Sequence, residues 1–502
     1  MLFSSSQKLA ALIAAGLVVL AVSVAVARTW SDASGMFSIE AEFVAFSDGK
    51  VQLKKETGDT IVVPMLALSK PDQEWVREEL ARRKAGGAPA AETPTARDTN
   101  QAAVPGDWPQ WRGPKRDGVN RETGLLESWP AGGPELLWTA QGLGSGYASV
   151  SVANGKIYTM GAVGDGQRLM ALSTEDGKEI WSTEISRKRD KPNCTPTVDG
   201  DLVFGLSLDG VLLCCNAETG QEVWRKRYAD DFGGRMMSNW GYSESPLVDG
   251  DRLICTPGGD RAMVVALDKR TGREIWSTPM PRGGDQGSDG AGYASLVISN
   301  AGGVRQYVTL VGRGVIGVRA SDGELLWGYN RVANGTANCP TPIVEGDYVF
   351  CSSGYGDGGS ALLKLSNRQG RFAAQEVYYR SAKEVQNHHG GMILVDGFVY
   401  MGHGHNQGLP LCLKLETGQL AWGPERGPGG NSAAILYADG KLYFRYENGV
   451  MALIEATPRG YNPISDFRLP TNNDKSWPHP VIANGKLYLR DGDVLHCYHV
   501  KK

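Results

Sequence analysis

Along residues 152–489, short apolar runs are broken again and again by a turn that carries Gly. The series is "VANGKIY" (152–158), "TVDGDLVF" (197–204), "LVDGDRLI" (247–254), "IVEGDYVF" (343–350), "LVDGFVY" (394–400), "YADGKLYF" (437–444) and "IANGKLYL" (482–489). The degenerate "ISNAGGVRQYV" (298–308) brings it to eight. Runs of this length around a Gly turn predict β-hairpins. Between the hairpins a second pattern recurs, "EDGKEIW" (175–181), "ETGQEVW" (218–224), "RTGREIW" (270–276), "SDGELLW" (321–327) and "ETGQLAW" (416–422), with a Trp four residues after a turn Gly. A unit of about 42–52 residues with four short strands and Gly turns predicts a β-propeller. The expected fold class is all-β: an eight-bladed propeller over residues 107–502. The unit at 477–500 has room for three strands only, while "PELLWTA" (134–140) is a Trp-bearing strand with no hairpin before it. Joining the two closes the ring and removes an open edge. The repeated Trp is expected to pack between neighbouring blades as core.

The N-terminal pattern differs. Phe37, Ile39, Ala41 and Phe43 alternate with polar residues, turns follow at Asp48-Gly49 and Gly58-Asp59, and Val51, Leu53, Ile61 and Val63 keep the period of two. Three short strands are expected, then a helix opened by Ser69 as N-cap with Asp72 three residues on. This small β domain spans residues 28–84. Residues 85–106, rich in Ala, Pro, Thr and Gly and without periodicity, read as a flexible linker. Residues 1–27 hold one charge, Lys8, before an apolar run from Leu9 to Val26 that ends in "AVA" (25–27). That pattern predicts an export signal cleaved after Ala27. Residues 9–26 are also long enough to remain as a membrane anchor. Either way the protein is expected in the periplasm or cell envelope.

Composition narrows the partners. The chain has 52 basic and 55 acidic residues, a net charge of −3, so it offers no broad basic field to nucleic acid. A protein or peptide partner and a small-molecule ligand are both compatible. No hydrolase or phosphate-loop motif occurs.

Candidate chemistry concentrates in "NHHGGMILVDGFVYMGHGHNQG" (387–408), which holds four of the seven histidines. In a four-stranded meander, residues before the first strand share a face with the loop between the second and third strands. That rule gathers Trp240, Tyr242, Asp285, Asp289, Asn338, Asn387, His388, His389, Asn431 and His479 at one mouth of the central channel, the candidate ligand site. His388 and His389 are the candidate metal ligands or acid–base pair. The competing reading has both hydrogen-bond backbone at a Gly-rich turn and point apart. His403 and His405 are expected farther from the axis. Cys339 and Cys351, within one residue of directly opposite each other across the Glu345-Gly346 hairpin, are a candidate disulfide.

The Trp repeats resemble the pyrroloquinoline quinone (PQQ)-like propellers, a group that includes quinoprotein alcohol dehydrogenases and the assembly factor BamB. "WPQWRGPKRDG" (108–118), "YSESPLVDGDRLICTPGG" (242–259), "NHHGG" (387–391) and "WPHPVIANGKLYLRD" (477–491) are similar to exported bacterial propellers of the PQQ-binding-like type. The resemblance implies PQQ with calcium as a candidate cofactor, with Asp285, Asp289 and Trp240 as available ligands and stacking surface. The adjacent Cys214 and Cys215 fall in a strand register, where neighbours point to opposite faces, and read as small core residues. Residues 28–84 resemble the SH3-like homology domain first named in the endocytic adaptor Sla, which implies peptide docking beside the plainer role of a spacer. The expected function is an envelope binding or scaffold protein. The alternatives are a PQQ-dependent alcohol or sugar dehydrogenase and a His-based metal enzyme.

Overall fold

The apolar runs around each Gly turn pair as antiparallel strands, as their alternation requires. The computed structural model describes residues 28–32, 38–47, 50–55, 59–84, 106–472 and 474–502. The chain divides into two compact units, residues 1–95 and 96–502.

In the larger unit seven sheets follow in chain order at residues 151–186, 197–227, 247–278, 297–329, 343–381, 387–422 and 433–468. In each, the four chain-sequential strands are also neighbours in space. The eighth sheet joins Val481–Ala483, Lys486–Asp491 and Val494–His499 to the early strand Glu135–Ala140, with Cys497 opposite Trp138 and Leu495 opposite Ala140. First strands lie side by side in the first to third sheets and again in the fourth to seventh, which sets them on the inner side. Side chains of the eighth sheet (Leu487, Tyr488) share one core with those of the seventh (Leu436, Tyr443) and the first (Val152, Ile157). The architecture is all-β and propeller-like.

The spacing between turn Gly and Trp has a structural cause. Trp181 of the first sheet lies against Gly220 of the second, where an added Cβ would stand 2.5 Å from the indole. Trp224 meets Gly272 and Trp276 meets Gly323 in the same way. These glycines also have positive φ (72°, 68° and 77°), so both backbone and space exclude a side chain. Each indole then donates to a carbonyl of the next sheet: Trp181 to Ala217 (3.1 Å), Trp224 to Lys269 (3.0 Å) and Trp276 to Ala320 (3.2 Å). The Trp is thus inter-sheet core, as its repetition predicts. In the seventh sheet Ser465 holds the Trp position, and Trp129 enters from the N-terminal side, its ring 5.1 Å from Phe467.

The outer strands share a second device. The residue before the Trp position is skipped by the pairing register in all eight sheets, as at Ile180, Val223, Ile275 and Leu137. These four are exposed, between 40% and 47%. A bulge at that point breaks the flat edge that would otherwise recruit another chain.

In the smaller unit, Arg28–Ser31, Ser38–Ser47, Lys50–Lys55 and Thr60–Pro64 form one antiparallel sheet, followed by the helix Lys70–Lys84. The strand Arg28–Ser31 adds to the three expected from alternation. Its side chains show why it pairs: buried Trp30 packs edge-on to Trp75 (5.3 Å), and Arg28 lies over both rings and reaches Asp72 at 2.8 Å. Ser69 caps the helix as expected, its hydroxyl accepting from the Asp72 amide (3.3 Å) and donating to the Asp72 carboxylate (2.7 Å). The expected export segment and most of the expected linker, residues 85–105, lie outside the described residues. No helix among the described residues is long and apolar enough to cross a membrane.

Candidate functional site

The "WPQWRGPKRDG" segment (108–118) enters the channel and adds to the inner edges of the sheets. Trp108 and Val152 exchange backbone bonds (2.8 and 2.9 Å), Val198 donates to Pro109 (2.8 Å), and Val119–Asn120 pairs in parallel with Tyr437–Ala438. Arg112 reaches the carbonyls of Met392 and Asp117, while Arg116 reaches those of Ser245 and Pro246 in the third sheet. One short segment therefore spans from the third sheet to the sixth. Burial lowers both guanidinium pKa values to about 10, offset in part by Asp117 for Arg112 and by Glu244 for Arg116. Buried cations that bond mainly to carbonyls act here as cross-links. Both arginines have positive φ, near 58°, a conformation uncommon for residues other than glycine. The sequence carried this only as a motif, because no period of two or 3.6 runs through it.

Four histidines meet at the start of the sixth sheet. Its first strand, Asn387–Val395, pairs Asn387 with His403 and then Met392 with Met401, so residues 388–391 bulge out of register. His388 and His389 sit in that bulge, their rings 4.3 Å apart instead of diverging. His405, expected at the periphery, lies 4.6 Å from His388 and 4.6 Å from Tyr355, because its loop folds back over the bulge. Both nitrogens of His388 are engaged, Nδ1 with Ser432 (2.7 Å) and Nε2 with Tyr355 (2.9 Å). His389 packs on Trp477 (4.7 Å), and its Nε2 is sealed from solvent with no hydrogen-bond partner among the described residues. His479 stands edge-on to Trp111 (4.4 Å), with Nε2 at 3.4 Å from the His389 carbonyl. Burial, reinforced by His389 and His405, drives the His388 pKa to about 2. Burial with His479 takes His389 to about 3, and burial with Arg112 takes His479 to about 3. All three are neutral at physiological pH. His403 is buried, accepts the Gln386 amide on Nδ1 (3.2 Å) and is also lowered by burial.

The other mouth residues divide. Tyr242 is core, donating to the Pro257 carbonyl (2.9 Å); Asn338 bonds the carbonyls of Val311 and Gly312; Asn387 bonds those of Gly391 and Gly402. They hold backbone and offer little to a ligand. Trp240 is 58% exposed, Asp289 pairs with Arg313 (2.8 Å), and Asp285 and Asn431 are exposed. Sequence reasoning missed Tyr147, Tyr355, Ser432, Lys475 and Trp477, which complete the histidine face. The rings of Tyr147 and Trp477 pack at a tilt, 4.6 Å apart, with Lys475 over the latter. Their signal was present in "SWPHP" (476–480), but only the fold shows that this turn meets the sixth sheet. Cys339 and Cys351 are both free. The register sets Ile343 opposite Phe350, which leaves Cys351 level with residue 342 and Cys339 three residues beyond.

A cavity of about 920 Å³ opens at the other end of the channel, among the turns after the first strands. Its walls include Val198, Val248, Ile298, Val344 and Leu394, with Lys115 and Arg116 of the channel segment. None of the ten expected mouth residues lines it.

The family described as outer membrane protein assembly factor BamB matches residues 129–229 and 189–423, and SLA1 homology domain 1 matches residues 22–84. Among curated relatives, "1-butanol dehydrogenase (quinone)" of Thauera butanivorans is 31% identical over 27% of this chain and 23% of its own. BamB of Vibrio cholerae is 30% identical over 24% of this chain and 32% of its own. The chain thus spans under a third of the length of these relatives. A europium-containing methanol dehydrogenase superposes with a TM-score of 0.58 at 13% identity, over 78% of this chain and 90% of that one, which shows the fold. The quinone cofactor suggested by these likenesses needs an open slot over an indole and a cluster of oxygen ligands for calcium. Here Trp111 is covered by His479, and Arg112 is bonded across the channel beside it. Among the described residues no three His, Cys, Asp or Glu side chains converge on one point. Cys214 and Cys215 are free, buried members of the strand Val211–Asn216. The residues around Trp111 leave no slot for a quinone, while Trp240, the indole expected to stack on one, is exposed and Asp289 is paired with Arg313. By its matched span the chain belongs to the PQQ-like repeat family described as outer membrane protein assembly factor BamB, with an SLA1 homology domain 1 ahead of it.

Proposed function

We propose that this protein is an exported binding scaffold of the cell envelope. Residues 107–502 form an eight-bladed propeller that engages a protein segment or small ligand at a channel mouth. Residues 28–84 form an SH3-like barrel that docks a peptide, residues 85–106 link the two, and residues 1–27 export or anchor the chain. The carrying observation is that the two channel arginines hold the chain's own backbone and that His388 is tied to neighbouring side chains. Arg112 and Arg116 bond four carbonyls, and His388 is bonded at both nitrogens. The exposed Trp240 and Lys475, with the half-buried Tyr147 and Trp477, suit docking at the mouth.

The test is a titration of the full chain with PQQ and calcium, read by Trp fluorescence, beside site-specific photo-crosslinking from position 240 in the cell envelope. A defined crosslinked protein with no saturable PQQ binding is the expected result. One equivalent of PQQ bound, with alcohol-dependent reduction of a dye, would replace this reading with a dehydrogenase.

A further inference from the structure

The channel's inner strand edges are only partly used. One residue of the first strand in each of sheets one to six shares a register: Val152, Val198, Val248, Ile298, Val344 and Leu394 stand opposite Ile157, Val203, Leu253, Tyr307, Val349 and Val399. In an antiparallel pair such alternate residues turn their N–H and C=O away from the partner strand. Val152 shows where they point, since Trp108 in the channel bonds both groups, and Val198 donates to Pro109 there. By the same register the N–H and C=O of Val248, Ile298, Val344 and Leu394 also face the channel. No backbone bond reaches any of the four among the described residues. All four line the 920 Å³ cavity. The cavity lies at the end of the sixth sheet's first strand, next to Asp396, whereas the histidines lie at its start.

We propose that this cavity receives an extended polypeptide segment of a partner, which adds as a strand to the inner edge of the fifth sheet at Val344. The chain's own segment 108–119 already makes this addition in the same channel, on the first, second and seventh sheets. The site continues that established pairing around the ring. Its walls beside Val344, Ile343 and Val395 are aliphatic, so alternate side chains of the segment are aliphatic. Glu345 and Asp396 at the rim are exposed carboxylates with no ion pair among the described residues, so the segment carries Lys or Arg at its outer end. This proposal deepens the scaffold reading and places its occupant on the face opposite the histidines.

The test uses the full chain and a phage library of random peptides about 12 residues long. Enriched peptides are synthesised with and without N-methylation of alternate amides. They are then titrated into wild type, Val344→Pro, and a double variant, Glu345→Lys with Asp396→Lys. Strand addition predicts about a tenfold loss of affinity on N-methylation and in Val344→Pro, since each removes a backbone donor. The double variant, which leaves the backbone intact, is expected to lose several-fold and to regain it with peptides whose basic end is acidic. Should Val344→Pro fail to fold, the N-methylated peptides and the double variant decide. Absence of any enriched peptide overturns the proposal. So do peptides that bind wild type yet ignore both N-methylation and charge reversal. In that last case the peptides bind another face or the N-terminal unit, and the scaffold reading stands without this site.

Discussion

Acidification tests the histidine face most directly. His388, His389 and His479 have folded pKa values of about 2, 3 and 3, with burial as the leading cause. In the unfolded chain each titrates near 6.5 (about). Between these limits the unfolded state binds more protons, so stability is fully present above pH ~6.5 and is lost as pH falls toward ~3. From pH ~7.5 to ~5.0 each histidine surrenders about 2 kcal/mol, a ceiling of about 6 kcal/mol for the three. Glu244 works against this. Burial raises its carboxyl pKa, so it favours the folded state as pH falls below that raised value. Urea unfolding of the full chain at several pH values is expected to show midpoints falling steeply below pH ~6.5. Carbon-labelled histidine NMR supplies a readout free of any two-state assumption: of seven histidines, at least three signals stay at the neutral position down to pH ~5. Seven signals all titrating near ~6.5 would refute the burial and packing assigned to 388, 389 and 479.

Other outcomes follow from single contacts. Gly323→Ala would set a Cβ 2.5 Å from Trp276 at a φ of 77°, so it should destabilise by about 2 kcal/mol or more; Gly346→Ala, with nothing within 4 Å, should lose only about 1 kcal/mol from its positive φ. Both are read by thermal melting. Asp72→Ala removes the partner of Arg28 and of the Ser31 amide (2.9 Å) and should raise hydrogen exchange across residues 28–84 by about tenfold or more, leaving exchange in 106–502 unchanged. Thiol labelling under denaturing, non-reducing conditions should modify all eight cysteines.

Repetition made much of the fold readable. Hairpins with a Gly turn are local, and the spacing from turn Gly to Trp reports a contact between neighbours that recurs in sheet after sheet. The strand at 134–140 could be assigned to the last sheet because a missing strand and a surplus one balance. The extra strand Arg28–Ser31 escaped because four residues are too few to show a period. Tyr242, Asn338 and Asn387 bond backbone carbonyls, and residue type alone cannot tell such a cross-link from a ligand contact.

What the sequence by itself determined was the repeated unit: its strand count, its turn chemistry and the Trp that joins one sheet to the next. Each of these rests on interactions within a few residues or on a contact repeated around the ring. The tertiary structure decided the rest. It bent His388 and His389 into a bulge that His405 covers, drew residues 108–118 through the channel on Arg112 and Arg116, and opened the cavity at the far end. Those outcomes depend on non-repeating side chains brought together from distant sheets, and no periodicity along the chain encodes a meeting that happens once.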